Sequence, residues 1–180
     1  MKHLAVVVDW YGPYAVKDAL KAARYDYNSG LYIGIGKRHY QHGQSTIQYI
    51  GLSRKLGIRL LQHHKLPEIR RDAKIWLGEV GTAEIPGPKC KCTPVSLDAV
   101  EWLHAYFLHL PLNERKKKRP PDRASTVLNR WWRVDYETQW VRRPHPSWPD
   151  IIDYLGPDNP AKIVWFGGKQ KRVKPPFSEG

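Results

Sequence analysis

The chain has 180 residues, of which 41% are hydrophobic and 26% charged, the composition of one ordinary globular domain rather than of a disordered chain, a collagen repeat or a coiled coil. The longest early apolar run, Leu4 to Val8, stops at Asp9, far short of a secretory core or the ~20 residues of a membrane helix. Thirty lysines and arginines against 17 acids give a formal charge of +13. The expected partner is therefore a polyanion, and nucleic acid ranks above a membrane surface because no segment pairs a basic helix face with a broad apolar one.

In chain order, Leu4 to Val8 predicts a short strand, and Val16, Ala19, Leu20 and Ala23 give one stripe of a helix from about Pro13 to Arg24. Asn28-Ser29-Gly30 breaks that helix. Leu31 to Ile35 and Thr46 to Leu52 alternate as two strands of a hairpin around a polar loop, and Ser53 is placed to cap a helix running to about His64. A third strand is expected at Lys74 to Val80, before a glycine- and proline-rich loop. That loop carries the only cysteines, Cys90 and Cys92, spaced awkwardly for a mutual disulfide and lacking the second ligand pair of a zinc ribbon. This usage points to a reducing compartment, and the chain is expected to be cytoplasmic.

Ser96 is a candidate cap for a helix whose Leu97, Val100, Leu103, Phe107 and Leu108 share one broad face up to Pro111. Beyond it come a charge run, Glu114 to Arg119, a predicted helix at Ala124 to Trp131 and a strand-like stretch from Arg133 to Val141. Ile151 to Leu155 reads as a short helix, Lys162 to Phe166 as a last strand, and Lys169 to Gly180 as a basic tail.

Two tripeptides on the predicted hairpin, Gly30-Leu31-Tyr32 and Tyr49-Ile50-Gly51, are followed in order by Arg59 and His63, Glu101 and Asn113. This ordered set resembles the GIY-YIG nucleases, in which the arginine also lies eight residues after the last glycine of the second tripeptide. Two departures accompany the match: leucine replaces isoleucine in the first tripeptide, and the stretch from Tyr32 to Tyr49 is longer than the family's usual spacing. The resemblance covers about residues 30 to 113. It implies a single α/β (α+β) domain with a small antiparallel sheet flanked by helices, with residues 1–29 and 114–180 as additions to the nuclease-like core.

What the resemblance implies about chemistry agrees with the residue types. Hydrolysing a phosphodiester needs an oriented water, charge stabilisation at phosphorus and help for the departing oxygen. Glu101 is the expected ligand of one Mg2+ or Mn2+ ion, a hard cation that takes oxygen donors. Tyr49, together with Tyr32 or His63, is expected to orient or deprotonate the water, and Arg59 to contact the phosphate. Asn113 would position its segment or touch the phosphate. Each residue also has a plainer reading: strand tyrosines pack sheets, lone helix glutamates and arginines are solvated, and Asn113 could simply stop a helix.

Arg115, Lys116, Lys117, Lys118 and Arg119 follow Asn113 directly, and Arg130 and Arg133 flank Trp131 and Trp132. These are the expected contacts to double-stranded DNA, with tryptophans available for stacking. The implied activity is metal-dependent DNA endonuclease cleavage leaving 3′-hydroxyl and 5′-phosphate ends. The compact type II restriction enzymes of the family are the nearest likeness, which makes a homodimer on DNA the matching assembly. A structure-specific repair or junction nuclease and a catalytically silent DNA-binding module are the alternatives. Charge and aromatics do not separate RNA from DNA.

Overall fold

The structure is a computed structural model that describes residues 3–81 and 94–174. The Cys90–Cys92 loop lies outside the described residues. Eight strands form one sheet: β1 (Leu4–Tyr14), β2 (Gly30–Arg38), β3 (Thr46–Ser53), β4 (Ile69–Gly81), β5 (Ser125–Trp132), β6 (Ile151–Tyr154), β7 (Ala161–Trp165) and β8 (Lys169–Val173). Their spatial order is β3-β2-β4-β1-β5-β6-β7-β8. β1 runs parallel to β5, and all other neighbours are antiparallel. The helices are α1 (Val16–Tyr25), α2 (Leu56–Leu61) and α3 (Pro94–Phe107).

The sheet separates two apolar layers. Val6, Val8 and Trp10 alternate along β1 and, with Ile33 and Trp76, pack on Leu97, Val100 and Leu103 of α3. On the other side Tyr32, Ile75 and Leu77 pack on Ala19 and Ala23 of α1 and Leu56 and Leu60 of α2. Helices thus cover both faces of the sheet, and Trp148 of the connection after β5 packs edge-on against Trp10, Trp76 and Trp131 in the first layer.

This architecture corrects the expected small antiparallel sheet flanked by helices: the sheet is large and mixed, and the three helices are short. The difference arises after residue 120. Ala124 to Trp131, predicted helical, is β5, whose Val127 and Trp131 point into the core with Asn129 between them. Asn129 occupies a core position because its Oδ1 accepts from Trp10 Nε1 at 2.8 Å and its Nδ2 donates to Pro149 O at 2.9 Å. The segment Ile151 to Leu155, also predicted helical, pairs with β5 and β7 as β6. Part of the expected basic tail forms β8, and the strand expected at Arg133 to Val141 is reduced to one bridge, Trp132 to Gln139. β1, placed outside the nuclease-like core from sequence, lies in mid-sheet between β4 and β5.

Among the described residues, no helix is long and apolar enough to cross a membrane.

Candidate active site

In the β2–β3 hairpin, Tyr32 stands opposite Gly51 and Tyr49 opposite Gly34. Each tyrosine thus faces a glycine, and the two phenol rings lie side by side with centroids 5.8 Å apart. A Cβ on Gly51 would collide with the Tyr32 hydroxyl and lie 2.5 Å from its Cζ, so the close approach of that ring requires glycine. Between Gly34 and Ile35 the register shifts by one residue, leaving Gln48 as a bulge.

The two phenols differ in access. Tyr49 lines a cleft of about 530 Å³ together with Arg59, His64, Lys65, Asp98, Glu101, Asn113 and Arg115. Tyr32 is fully buried and does not line it. Burial, followed by the neighbouring Tyr49, pushes the Tyr32 phenol well above its ordinary pKa, so it serves as a neutral hydrogen-bonding group rather than a base. Its oxygen accepts from Arg59 Nε at 3.4 Å, which anchors the arginine at the cleft wall.

His63 does not share a helix face with Arg59, because α2 ends at Leu61. Its ring packs edge-on against both tyrosines, at 5.2 Å from Tyr32 and 4.9 Å from Tyr49. Nδ1 accepts the backbone N–H groups of Lys65 and Leu66 at 3.0 and 2.9 Å, so the ring proton sits on Nε2. Burial, reinforced by Arg59, lowers its pKa to about 4. His63 is a neutral spacer between the phenols and the turn after α2, and it does not line the cleft.

Glu101 projects from α3 into the cleft, and Asp98, three residues earlier, lines it too. The Lys116 ammonium bonds to the Glu101 carboxylate and reaches Asp98 Oδ1 at 2.5 Å. Burial raises the Glu101 carboxyl above its usual range, against the downward pull of that ammonium. Two carboxylates sharing one internal cation form a hard oxygen donor pair, which suits Mg2+ or Mn2+ completed by water and phosphate oxygens. No group of three or more histidine, cysteine, aspartate or glutamate side chains suited to a metal occurs among the described residues. Any ion here would thus rest on these two carboxylates.

Asn113 acts on the edge of the sheet. Its Oδ1 accepts from Ile50 N at 3.0 Å and its Nδ2 donates to Ile50 O at 2.8 Å, while Leu112 N donates to Gln48 O at 2.9 Å. Residues 112–113 thereby satisfy the outer edge of β3 and fix Tyr49 between two pinned neighbours.

The basic residues divide into engaged and open groups. Lys116 is committed to Glu101 and Asp98, Lys117 Nζ donates to Pro111 O at 3.5 Å, and Arg130 makes a two-pronged contact with Asp9 at 2.8 and 2.7 Å. Arg133 lies over the Trp140 ring, 4.7 Å from its centroid. Arg115, Lys118 and Arg119 keep exposed side chains, and Arg115 lines the cleft. Three cleft residues, Asp98, Lys65 and Glu114, were missed in the sequence. Asp98 could have been found from its spacing to Glu101, but the Lys65–Glu114 pair at the cleft mouth, 2.5 Å, joins positions far apart in the chain.

Comparison of the chain with protein-family models, curated proteins and solved structures finds no match.

Proposed function

We propose that this protein is a divalent-cation-dependent endonuclease that hydrolyses double-stranded DNA, acting in the manner of a compact type II restriction enzyme. The observation carrying this reading is the convergence of Tyr49, Arg59 and Glu101 on one cleft, from a hairpin strand, the following helix and a later helix. The ordered residues that resemble the GIY-YIG signature support the same chemistry, and the net charge supports the substrate class.

In this scheme Tyr49 hydrogen-bonds and orients the water that attacks phosphorus. Arg59, held by Tyr32, binds a non-bridging phosphate oxygen and stabilises the charge that builds there. As the water oxygen bonds to phosphorus it releases one proton to solvent, the P–O3′ bond breaks with its electron pair staying on the 3′ oxygen, and a proton from solvent completes the 3′-hydroxyl beside a 5′-phosphate. Glu101 and Asp98 would hold Mg2+ or Mn2+, which when bound supplies Lewis-acid stabilisation of the phosphate. Arg115 draws the backbone toward the cleft. Each subunit cuts one strand, so a homodimer on DNA makes the double-strand break.

One observation favours the silent DNA-binding module instead: Lys116 already occupies both carboxylates. Incubating supercoiled plasmid with wild type, Glu101→Gln and Arg59→Ala, with and without Mg2+, separates the readings. The nuclease reading expects cation-dependent cutting by wild type and at least ~100-fold slower cutting by both variants with retained DNA binding. Unchanged cutting in either variant, or no cutting by wild type, overturns it.

A further inference from the structure

The strand directions gather several connections at one end of the sheet. β1, β2 and β5 all run toward it, so the β2–β3 loop, residues 39–45, and the long connection 133–150 between β5 and β6 emerge side by side. The β7–β8 turn at Phe166 to Gly168 joins them there. His145 Nε2, 2.9 Å from Ser45 O, ties the long connection to the hairpin loop.

Both loops are stiff. Gln41 accepts from Arg38 N at 3.1 Å and from Gln48 Nε2 at 2.8 Å, and its own Nε2 donates to Thr46 Oγ1 at 3.0 Å. Arg71 donates to Gln41 O at 2.7 Å. In the long connection, Asp135 accepts the N–H groups of Glu137 and Thr138, and Trp140 Nε1 donates to Gly12 O at 3.0 Å. A connection of this length without regular structure is uncommon in a compact domain unless it has work to do.

What these stiff loops present is unusual for an uncovered surface. Tyr40 is 83% exposed, Val141 99% and Phe166 58%, and the side chains of Arg38 and Arg142 stand in solvent beside them, with no hydrogen bond or ion pair among the described residues. Rigid loops that hold bare aromatic and aliphatic groups among open arginines suit a ligand with alternating phosphates and stackable bases. Tyr49 lies four steps along the chain from Ser45, the residue just before β3, about 13 Å at ~3.3 Å per step. That distance is about four base pairs of duplex at ~3.4 Å each, so one DNA helix can span both places.

We infer that this end of the sheet, the β2–β3 loop with the 133–150 connection, is a second double-stranded DNA contact surface, separate from the cleft, that sets where along the duplex the protein sits. The inference deepens the proposed nuclease function and rests on DNA being its ligand.

Binding of a labelled mixed-sequence duplex, measured by fluorescence anisotropy over a range of salt, tests it with Arg38→Glu, Arg142→Glu and Tyr40→Ala; circular dichroism checks that each variant folds. Each charge reversal should weaken binding about tenfold and lower the salt slope by about one. Tyr40→Ala should weaken binding with the slope unchanged. Unaltered affinity and slope in both reversals overturn the inference, as does a wild type that does not bind the duplex or prefers RNA in competition. Plasmid cutting by wild type is scored in parallel. Cutting with indifferent reversals sinks only this surface, whereas duplex binding that the reversals weaken, without cutting, sinks only the nuclease reading.

Discussion

The Lys116 ammonium bonds to the Glu101 carboxylate and, through the same nitrogen, to Asp98, so one internal cation neutralises two carboxylates three residues apart on α3. Lys116→Met removes that cation and leaves a mostly buried glutamate facing an aspartate. The cost is about 1–3 kcal/mol, below that of a fully buried pair because Asp98 is half exposed. Added Mg2+ or Mn2+ restores the missing charge if these carboxylates are its ligands, so it should raise the Tm of the variant more than that of wild type. Thermal melts with and without each cation measure this. A variant whose Tm ignores both ions would remove Asp98 and Glu101 as cation ligands.

Gly51→Ala tests the packing of the two phenols. The new methyl meets the Tyr32 hydroxyl and Cζ and lies 2.8 Å from Tyr49 Cε1, and the Tyr32 ring is fully buried. The expected destabilisation is about 1–3 kcal/mol. Tyr32→Phe in the same chain removes the hydroxyl collision along with the Arg59 hydrogen bond, whose cost the Tyr32→Phe single variant reports, and it recovers part of the loss. Urea denaturation of the single and double variants gives both numbers, and a fully additive pair would mean that the hydroxyl is not what the methyl strikes.

The part of the fold legible in the sequence is the part made by local pattern. β1 to β4, α1 and α3 show alternation or a helical stripe of their own residues and appear where expected apart from shifts at their ends, except that β1 runs on past Val8 to Tyr14, through the expected turn and the expected start of α1 at Pro13. β5 was illegible because Asn129 breaks its apolar alternation, and its partners, Trp10 119 residues away and the Pro149 carbonyl 20 residues on, explain an asparagine there. β6 is too short to separate from a buried helix turn by period, and β8, Lys-Gln-Lys-Arg-Val, is a strand only because β7 supplies its partner. The candidate site follows the same division. The order of Tyr32, Tyr49, Arg59, Glu101 and Asn113 can be read along the chain, but not which phenol reaches the cleft. Nor can it be read that Lys116 and Arg130 are engaged, since Arg130 meets Asp9 across 121 residues.

Asn113 carries an expectation that separates positioning from contact. Asn113→Ala leaves both the N–H and the C=O of Ile50 without their side-chain partners at a buried edge, costing about 2–4 kcal/mol. Asn113→Asp keeps an acceptor for Ile50 N but aims a second acceptor at Ile50 O, so it should be no better than alanine. Hydrogen exchange at Ile50 reports the loss locally. Protection at Ile50 retained in both variants would show that the clamp does not hold β3.

Acid should destabilise the fold through two histidines. Burial lowers His63 and His104 to about 4 from an ordinary value of 6.5. Between those values the unfolded chain binds protons that the native state excludes, so stability falls as pH drops through the window, by up to on the order of 3 kcal/mol for each ring. Glu101 and Glu79, raised by burial, work the other way: the native state takes up their protons before the unfolded chain does as pH falls, which offsets part of the loss. The two histidines thus set a decline that begins as pH falls below 6.5, lessened by the raised carboxyls. His104 is enclosed against Trp10, at 5.8 Å, with Nδ1 donating to Val100 O. His104→Leu removes one of the two titrations, and its Tm should fall less steeply than that of wild type from pH 6.5 to 5. An equal slope in both proteins would mean that His104 is protonated inside the fold.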